Sequence, residues 1–168
     1  PKPGNRQEAG HYFTQGLQAQ QERLLPGAIE AYKKAAGADP EFFDAHYNLG
    51  LAAFQNGDLS LSLFAYETAL AIHPDSVNAR FNFGLALQKA GYPRDAANEL
   101  ERILSSSPSE VRAHLSVAYL YAQQLSEPGL ARTHYLKVLE AEPRHPQAAA
   151  IRYWLAREAG GSPQGVRR

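Results

Sequence analysis

The sequence predicts an all-α fold built from repeated helix pairs, and three observations support this prediction. Small residues recur every 34 positions, at Gly16, Gly50, Gly84 and Ala118. Large apolar residues recur at the same interval, at Tyr32, Tyr66 and Leu100. Prolines recur at Pro40, Pro74 and Pro108, and a fourth follows at Pro143 after one additional residue. Several residue types that share one interval indicate a chain of repeated supersecondary units.

Each repeat is predicted to contain two helices joined by a tight turn. In the second repeat the first helix is expected at residues 44–55 and the second at residues 59–72. Gly57 lies between them, and glycine adopts a positive φ at little steric cost. Pro74 ends the second helix because proline lacks the N–H that the helical ladder needs. In the third repeat Pro93 suits the first turn of a helix, where that N–H is not used.

The two central repeats carry the motifs of a known family. Residues 47–53 read "YNLGLAA" and residues 64–74 read "FAYETALAIHP", while "FNFGLAL" at 81–87 starts the next repeat. A bulky residue, Leu-Gly and an aromatic residue, followed by Ala, an aromatic residue, Ala and Pro, resembles the tetratricopeptide repeat (TPR) family. The resemblance covers about residues 9–145. It departs from the family at the usual Trp of the first helix, which is replaced by Tyr12, His46, Arg80 and His114.

The resemblance implies a right-handed α-solenoid of four TPR helix-turn-helix units with a C-terminal capping helix. The units are expected at about residues 9–42, 43–76, 77–110 and 111–145, and the cap at 146–159. Trp154 either anchors this cap or extends the inner surface of the array. We expect one domain over 9–159, because a single helix pair cannot bury its own apolar face. Residues 1–8 and 160–168 are predicted to be flexible flanks.

The first helix of the second repeat has two apolar faces. Leu49 and Ala53 share one face, whereas Tyr47, Leu51 and Phe54 lie on nearly the opposite one. The family resemblance implies that first helices line a concave surface where ligands bind. The residues that match this surface form two rows, completed by Phe54: Phe13, Tyr47, Phe81 and Leu115, and Leu17, Leu51, Leu85 and Tyr119. Asn48 and Asn82 match positions at which some TPR proteins hold a peptide backbone.

These features predict a non-enzymatic protein-interaction module that binds a peptide or helix of a partner protein. We expect Tyr47→Ala with Phe81→Ala to abolish partner capture and to leave the fold intact. The sequence leaves open whether something other than a partner covers these two apolar rows. The chain's own ends or a neighbouring copy could cover them, or curvature of the array could bring the inner residues together. Two other functions also remain open, namely a self-assembling homo-oligomeric scaffold and a targeting or regulatory segment of a larger enzyme.

Composition narrows the function classes further. The formal net charge is zero, which gives no indication of nucleic-acid binding, and the absence of Cys removes thiolate chemistry and thiolate metal sites. The six His residues are scattered, so we expect neither a metal nor a cofactor nor catalytic residues. No stretch is apolar enough to span a membrane, and cytoplasm and periplasm are equally compatible. The chain lacks Met even at residue 1, so we expect a processed or excised piece.

Charge is unevenly distributed along the chain. No Lys or Arg occurs between Lys34 and Arg80, a segment that holds several Asp and Glu residues, whereas residues 129–168 are rich in Arg. Opposite potentials of this kind can steer a partner or a second copy of the chain. An ordinary solvated surface is the simpler interpretation.

Overall fold

The computed structural model describes residues 4–160. Within that range the chain folds into α-helices without any strand, and the sequence prediction of an all-α fold is confirmed. The nine helices of the described residues are α1 (Arg6–Gln21), α2 (Leu25–Ala38), α3 (Phe43–Asn56), α4 (Leu59–Ile72), α5 (Val77–Lys89), α6 (Pro93–Ser106), α7 (Val111–Gln123), α8 (Pro128–Ala141) and α9 (Ala148–Gly160).

The chain divides into two compact units between Glu99 and Leu100, inside α6. Unit 1 contains α1 to α5 and the first part of α6, and unit 2 contains the remainder of α6 with α7, α8 and α9. The sequence predicted one domain over residues 9–159, and this stays a prediction.

Glycine and tyrosine determine how closely the helices of unit 1 approach. Tyr32 of α2 is fully buried, and a Cβ placed on Gly16 of α1 would lie 2.5 Å from its ring. Tyr66 of α4 is equally buried, and a Cβ on Gly50 of α3 would lie 2.8 Å from its ring. Only a residue without a side chain lets each ring lie against the facing backbone. The small and aromatic series seen in the sequence therefore mark the contact inside each helix pair.

A residue with positive φ ends the first helix of every pair among the described residues. Gly57 (φ 83°) and Gly91 (φ 87°) fill this position in the second and third repeats. Arg23 (φ 61°) and Ser126 (φ 55°) fill it in the first and fourth. The spacing of these four residues repeats the interval of the array, with the same single insertion before the last. The backbone of the turn is thus set by the repeat geometry, even where the residue has a Cβ.

Both ends of the array differ from the predicted bounds. The predicted flank over residues 1–8 is wrong for Arg6, which opens α1 behind the N-cap Asn5. Asn5 Oδ1 accepts a hydrogen bond from the Glu8 amide at 3.1 Å, and the Arg6 guanidinium pairs with Asp39. An N-cap and an ion pair order this turn in a segment whose composition resembles a linker. At the other end α9 continues through Gly160, while residues 1–3 and 161–168 lie outside the described residues.

Candidate interaction surface

The two apolar faces of α3 have different environments in the structure. Leu49, Gly50 and Ala53 are buried against the rest of unit 1. Tyr47, Leu51 and Phe54 are only partly buried. The first face is therefore the packing face of the repeat, and the second face is the one from which a binding surface could be built.

The row that begins at Phe13 is engaged by packing inside unit 1. The Phe13 ring lies 5.6 Å from Tyr32 and 5.1 Å from Phe42, between centroids. The Tyr47 ring stacks on Phe43 at 5.8 Å and meets Tyr66 edge-on at 6.1 Å. Aromatic contacts of this kind stabilise the fold as well as presenting surface. We therefore now expect Tyr47→Ala with Phe81→Ala to weaken the fold, which makes that pair a poor test of binding.

The two asparagines also have partners inside the chain. The Asn48 side-chain amide donates to the Asp44 carbonyl at 2.8 Å, one turn earlier in α3. The Asn82 side-chain amide donates to the Tyr47 hydroxyl at 3.0 Å and so ties α5 to α3. An Asn side chain has two N–H donors and a carbonyl acceptor, so one bond leaves further capacity for a peptide group. Both side chains are partly exposed, as that role requires.

The second row is the more open part of the surface in unit 1. Leu17 of α1 is 39% exposed, and Leu51 and Leu85 are partly exposed on α3 and α5. Phe54 follows Leu51 by three residues on α3, and the Lys89 ammonium of α5 lies 4.7 Å from its ring centroid. Sequence reasoning missed this cation, because nothing in the repeat pattern brings Lys89 and Phe54 together. The open row therefore combines aliphatic side chains with one cation on an aromatic face.

Unit 2 carries the remaining candidates, Leu115 and Tyr119, both on α7. Leu115 is partly buried, whereas Tyr119 is 49% exposed. Burial raises the pKa of the Tyr135 phenol on α8, and the nearby Tyr119 raises it further. The Trp154 ring of α9 lies 5.1 Å from Tyr135, so Trp154 anchors the last helix onto α8.

A second polar feature, missed from the sequence, links each turn to the following helix. His46 Nε2 lies 3.0 Å from the Pro40 carbonyl, and His114 Nε2 lies 2.9 Å from the Pro108 carbonyl. Arg80 makes the same contact with the Pro74 carbonyl and also pairs with Glu99 at 2.6 Å. The donor always follows the proline by six residues, so the spacing was visible in the sequence.

Across residues 4–160, no three His, Asp or Glu side chains are arranged to hold a metal ion. Over the same range, no helix has both the length and the apolar character needed to cross a bilayer.

Several solved structures share this fold. The structure of MamA matches with a TM-score of 0.76 at 24% identity, covering 83% of this chain and 81% of MamA. YrrB, described as a TPR protein with an unusual peptide-binding site, matches with a TM-score of 0.78 at 22% identity, covering 86% of this chain and 74% of YrrB. A tetratricopeptide repeat protein from Parabacteroides merdae gives a TM-score of 0.83 at 23% identity, covering 92% of this chain and 61% of its own.

The family follows from a comparison of sequences. A search of the curated proteins found no match. The family model of the tetratricopeptide repeat matches residues 13–77 and 81–143, which is well over half of the chain and includes both central repeats. The chain therefore belongs to the tetratricopeptide repeat family.

Proposed function

We propose that this chain is a non-enzymatic protein-interaction module that binds a peptide or helix of a partner protein along the open row of unit 1. The observation that carries the proposal is the exposure of Leu17 together with the partial exposure of Leu51 and Leu85, on helices whose other faces are buried. Apolar surface that a fold does not bury is characteristic of interaction sites.

The size of the effect is consistent with specific recognition. At roughly 25 cal/mol per Å², covering a few hundred Å² of apolar surface supplies several kcal/mol before ordering costs are subtracted. Asn48 and Asn82 flank the row and supply hydrogen bonds to a peptide backbone. Lys89, above the Phe54 ring, favours a carboxylate of the ligand near Phe54. YrrB, a TPR protein with an unusual peptide-binding site, shares the fold and supports the same class of ligand.

The test is a selection of peptides from a display library on the isolated chain, followed by binding measurements on variants. We expect Leu51→Glu with Leu85→Glu to lower the affinity for the selected peptides by at least tenfold, because both changes place a charge in the apolar row. Phe64→Glu is the matched control, since Phe64 is 62% exposed on α4, outside the proposed surface. Peptides that bind both variants equally would contradict the proposal.

A second copy of the chain is the alternative occupant of the surface. The acidic segment between Lys34 and Arg80 and the Arg-rich residues 129–168 favour contacts between copies. Light scattering over a series of protein and salt concentrations distinguishes the two. A monomer at high concentration excludes self-assembly, whereas a mass that rises with concentration and falls with salt favours it.

A further inference from the structure

A series of hydrogen-bonded polar side chains crosses unit 2; His114, His134 and Tyr121 are buried, whereas the Glu101 side chain is 38% exposed. His114 of α7 and His134 of α8 are each only 8% exposed, and their Nδ1 atoms lie 2.9 Å apart. His114 Nε2 lies 2.9 Å from the Pro108 carbonyl, and His134 Nε2 lies 3.0 Å from Glu101 Oε1. The Tyr121 hydroxyl donates to the same Glu101 oxygen at 3.1 Å. This series of hydrogen bonds thus runs from a backbone carbonyl to a carboxylate through two imidazole rings.

Counting the protons on these groups shows that the two imidazole rings need one additional proton. The Pro108 carbonyl can only accept, so His114 Nε2 must carry a proton, and the Nδ1 of the neutral ring then has a lone pair. Ionised Glu101 accepts from His134 Nε2, which leaves a lone pair on His134 Nδ1 as well. Two lone pairs would then face each other at 2.9 Å. One additional proton converts this repulsion into an N–H···N hydrogen bond.

The same number of protons is needed if Glu101 itself is protonated. Glu101 then donates to His134 Nε2, and His134 donates through Nδ1 to His114. Both arrangements hold one proton more than two neutral rings and an ionised carboxylate. The ring centroids lie 5.1 Å apart, close to the nitrogen separation plus the two ring radii. The two Nδ1 atoms therefore point at each other, as in a hydrogen bond, and do not converge on a metal ion.

The charged groups around the pair come from each neighbouring element. Glu101 faces it from α6 and Tyr121 from α7. Lys137 and Glu140 of α8, joined at 2.8 Å, line a cleft of about 260 Å³ beside His114. Glu110 caps α7 and is held by Arg112 at 2.9 Å, which lowers its pKa. The remaining neighbour, α9, presents the uncharged Trp154 to Tyr135.

We propose that His114, His134 and Glu101 share one proton in the folded protein, and that loss of this proton as pH rises loosens the α7–α8 hairpin. Burial holds the pKa of His134 below its usual value, against the opposing effect of the Glu101 carboxylate, so retention of the proton depends on the hydrogen bond between the two rings. The hydrogen bond between the rings exists only with the extra proton, and this favours retention of that proton. Histidines in the unfolded chain release theirs near pH 6.5. Below pH 6.5 the two histidines of the unfolded chain hold two protons and well above it they hold none, whereas the folded pair holds one. Stability is therefore greatest near pH 6.5 and declines as pH rises above it.

The test is hydrogen exchange of α7 and α8 backbone amides between pH 5 and pH 9, corrected for the intrinsic pH dependence of exchange. In the wild type the opening constant is expected to rise about tenfold per pH unit above pH 6.5, as one shared proton requires. His134→Gln is expected to abolish this slope. His11→Gln, which removes an exposed histidine of α1 in unit 1, is the control and keeps the slope.

Imidazole nitrogen chemical shifts provide a readout that needs no variant. At pH 7 the wild type should show one N–H proton between the Nδ1 atoms of His114 and His134. Two rings that both lack a proton on Nδ1 at pH 7, or an opening constant that does not rise between pH 7 and pH 9, would overturn the proposal. If His134→Gln does not fold, Glu101→Gln replaces it and should reduce the slope above pH 6.5, because it removes the carboxylate that holds the proton.

Discussion

Units 1 and 2 place different side chains at the same pair of repeat positions. In unit 1, His46 is equivalent to Arg80, and Ala65 is equivalent to Glu99, at intervals of 34 residues. In unit 2 the corresponding pair is His114 and His134, once the single inserted residue is counted. The first residue of each pair contacts the carbonyl of the preceding turn proline.

The second residue of the pair decides the chemistry. Ala65 offers no polar atom, and His46 Nδ1 is buried with no hydrogen-bond partner among residues 4–160. Glu99 gives Arg80 an ion pair, and His134 gives His114 a ring nitrogen. His46, Arg80 and His114 thus all place a nitrogen on the carbonyl of the preceding turn proline. The residue at the second position varies from repeat to repeat.

The largest expected effect concerns the small position of each helix pair, which is Gly50 in unit 1 and Ala118 in unit 2. We expect Gly50→Ala to cost about 2–3 kcal/mol, because the new methyl group would overpack the buried Tyr66 ring. Urea denaturation followed by far-UV circular dichroism measures this loss.

Gly10→Ala is the control for the same substitution in an open environment, since a Cβ there meets nothing within 4 Å. That change should stabilise the protein by about 0.5–1 kcal/mol, because alanine is the better helix former. Equal effects of the two substitutions would show that close approach to Tyr66 does not set the residue at position 50.

The next largest effect concerns the ion pair between Arg80 and Glu99 in unit 1, which is less exposed than an ordinary surface ion pair. Arg80→Met removes the guanidinium that pairs with Glu99 and donates to the Pro74 carbonyl. The side chains of Arg80 and Glu99 are 17% and 12% exposed. We expect a loss of about 2 kcal/mol, less than for a fully buried pair. Lys33→Met, in an exposed pair with Glu30, should cost under about 0.5 kcal/mol. Similar losses would place Arg80 among the surface pairs.

A third prediction uses the pH dependence that His46 gives to unit 1. Burial lowers the pKa of His46, against the opposing effects of the Pro40 carbonyl and Asp39. The unfolded chain therefore binds the proton more readily than the folded one, so His46 makes the protein less stable as pH falls below about 6.5. His46→Gln should reduce this acid loss in denaturant titrations at pH 5 and pH 7. An unchanged difference between the two pH values would assign the acid loss to other groups.

The smallest effect concerns the turns, where unit 1 holds Arg23 and Gly57 in left-handed conformations and unit 2 holds Ser126. Arg23→Gly and Ser126→Gly should each stabilise the protein by about 0.5–1 kcal/mol, since only glycine adopts positive φ without steric cost. Gly57→Ala should cost about 1 kcal/mol for the same reason. Thermal melts followed by Trp154 fluorescence report the Ser126 variant within unit 2. If Arg23→Gly is destabilising, the Arg23 side chain makes contacts that outweigh the backbone strain.

Much of the fold could be predicted from the repeat. The bounds of α4 agree with the predicted residues 59–72, because Gly57 and Pro74 are local signals for its start and end. Of the candidate site residues, Leu17 and Tyr119 are exposed, and Leu51, Phe54, Leu85 and Leu115 are partly buried. Phe13 and Tyr47, in contrast, pack on aromatic rings that lie elsewhere in the sequence. Periodicity assigns a residue to a helix face but does not show what covers that face.

The sequence by itself determined the helix pairs and the family, since these depend on local signals and on one interval that every repeat shares. The tertiary structure determined which side chains contact one another. Arg23 in a left-handed turn, Lys89 above Phe54, and His114 facing His134 all depend on how neighbouring helices approach. Burial, hydrogen bonding and shared protons arise between side chains brought together in space, so residue types and spacing alone do not specify them.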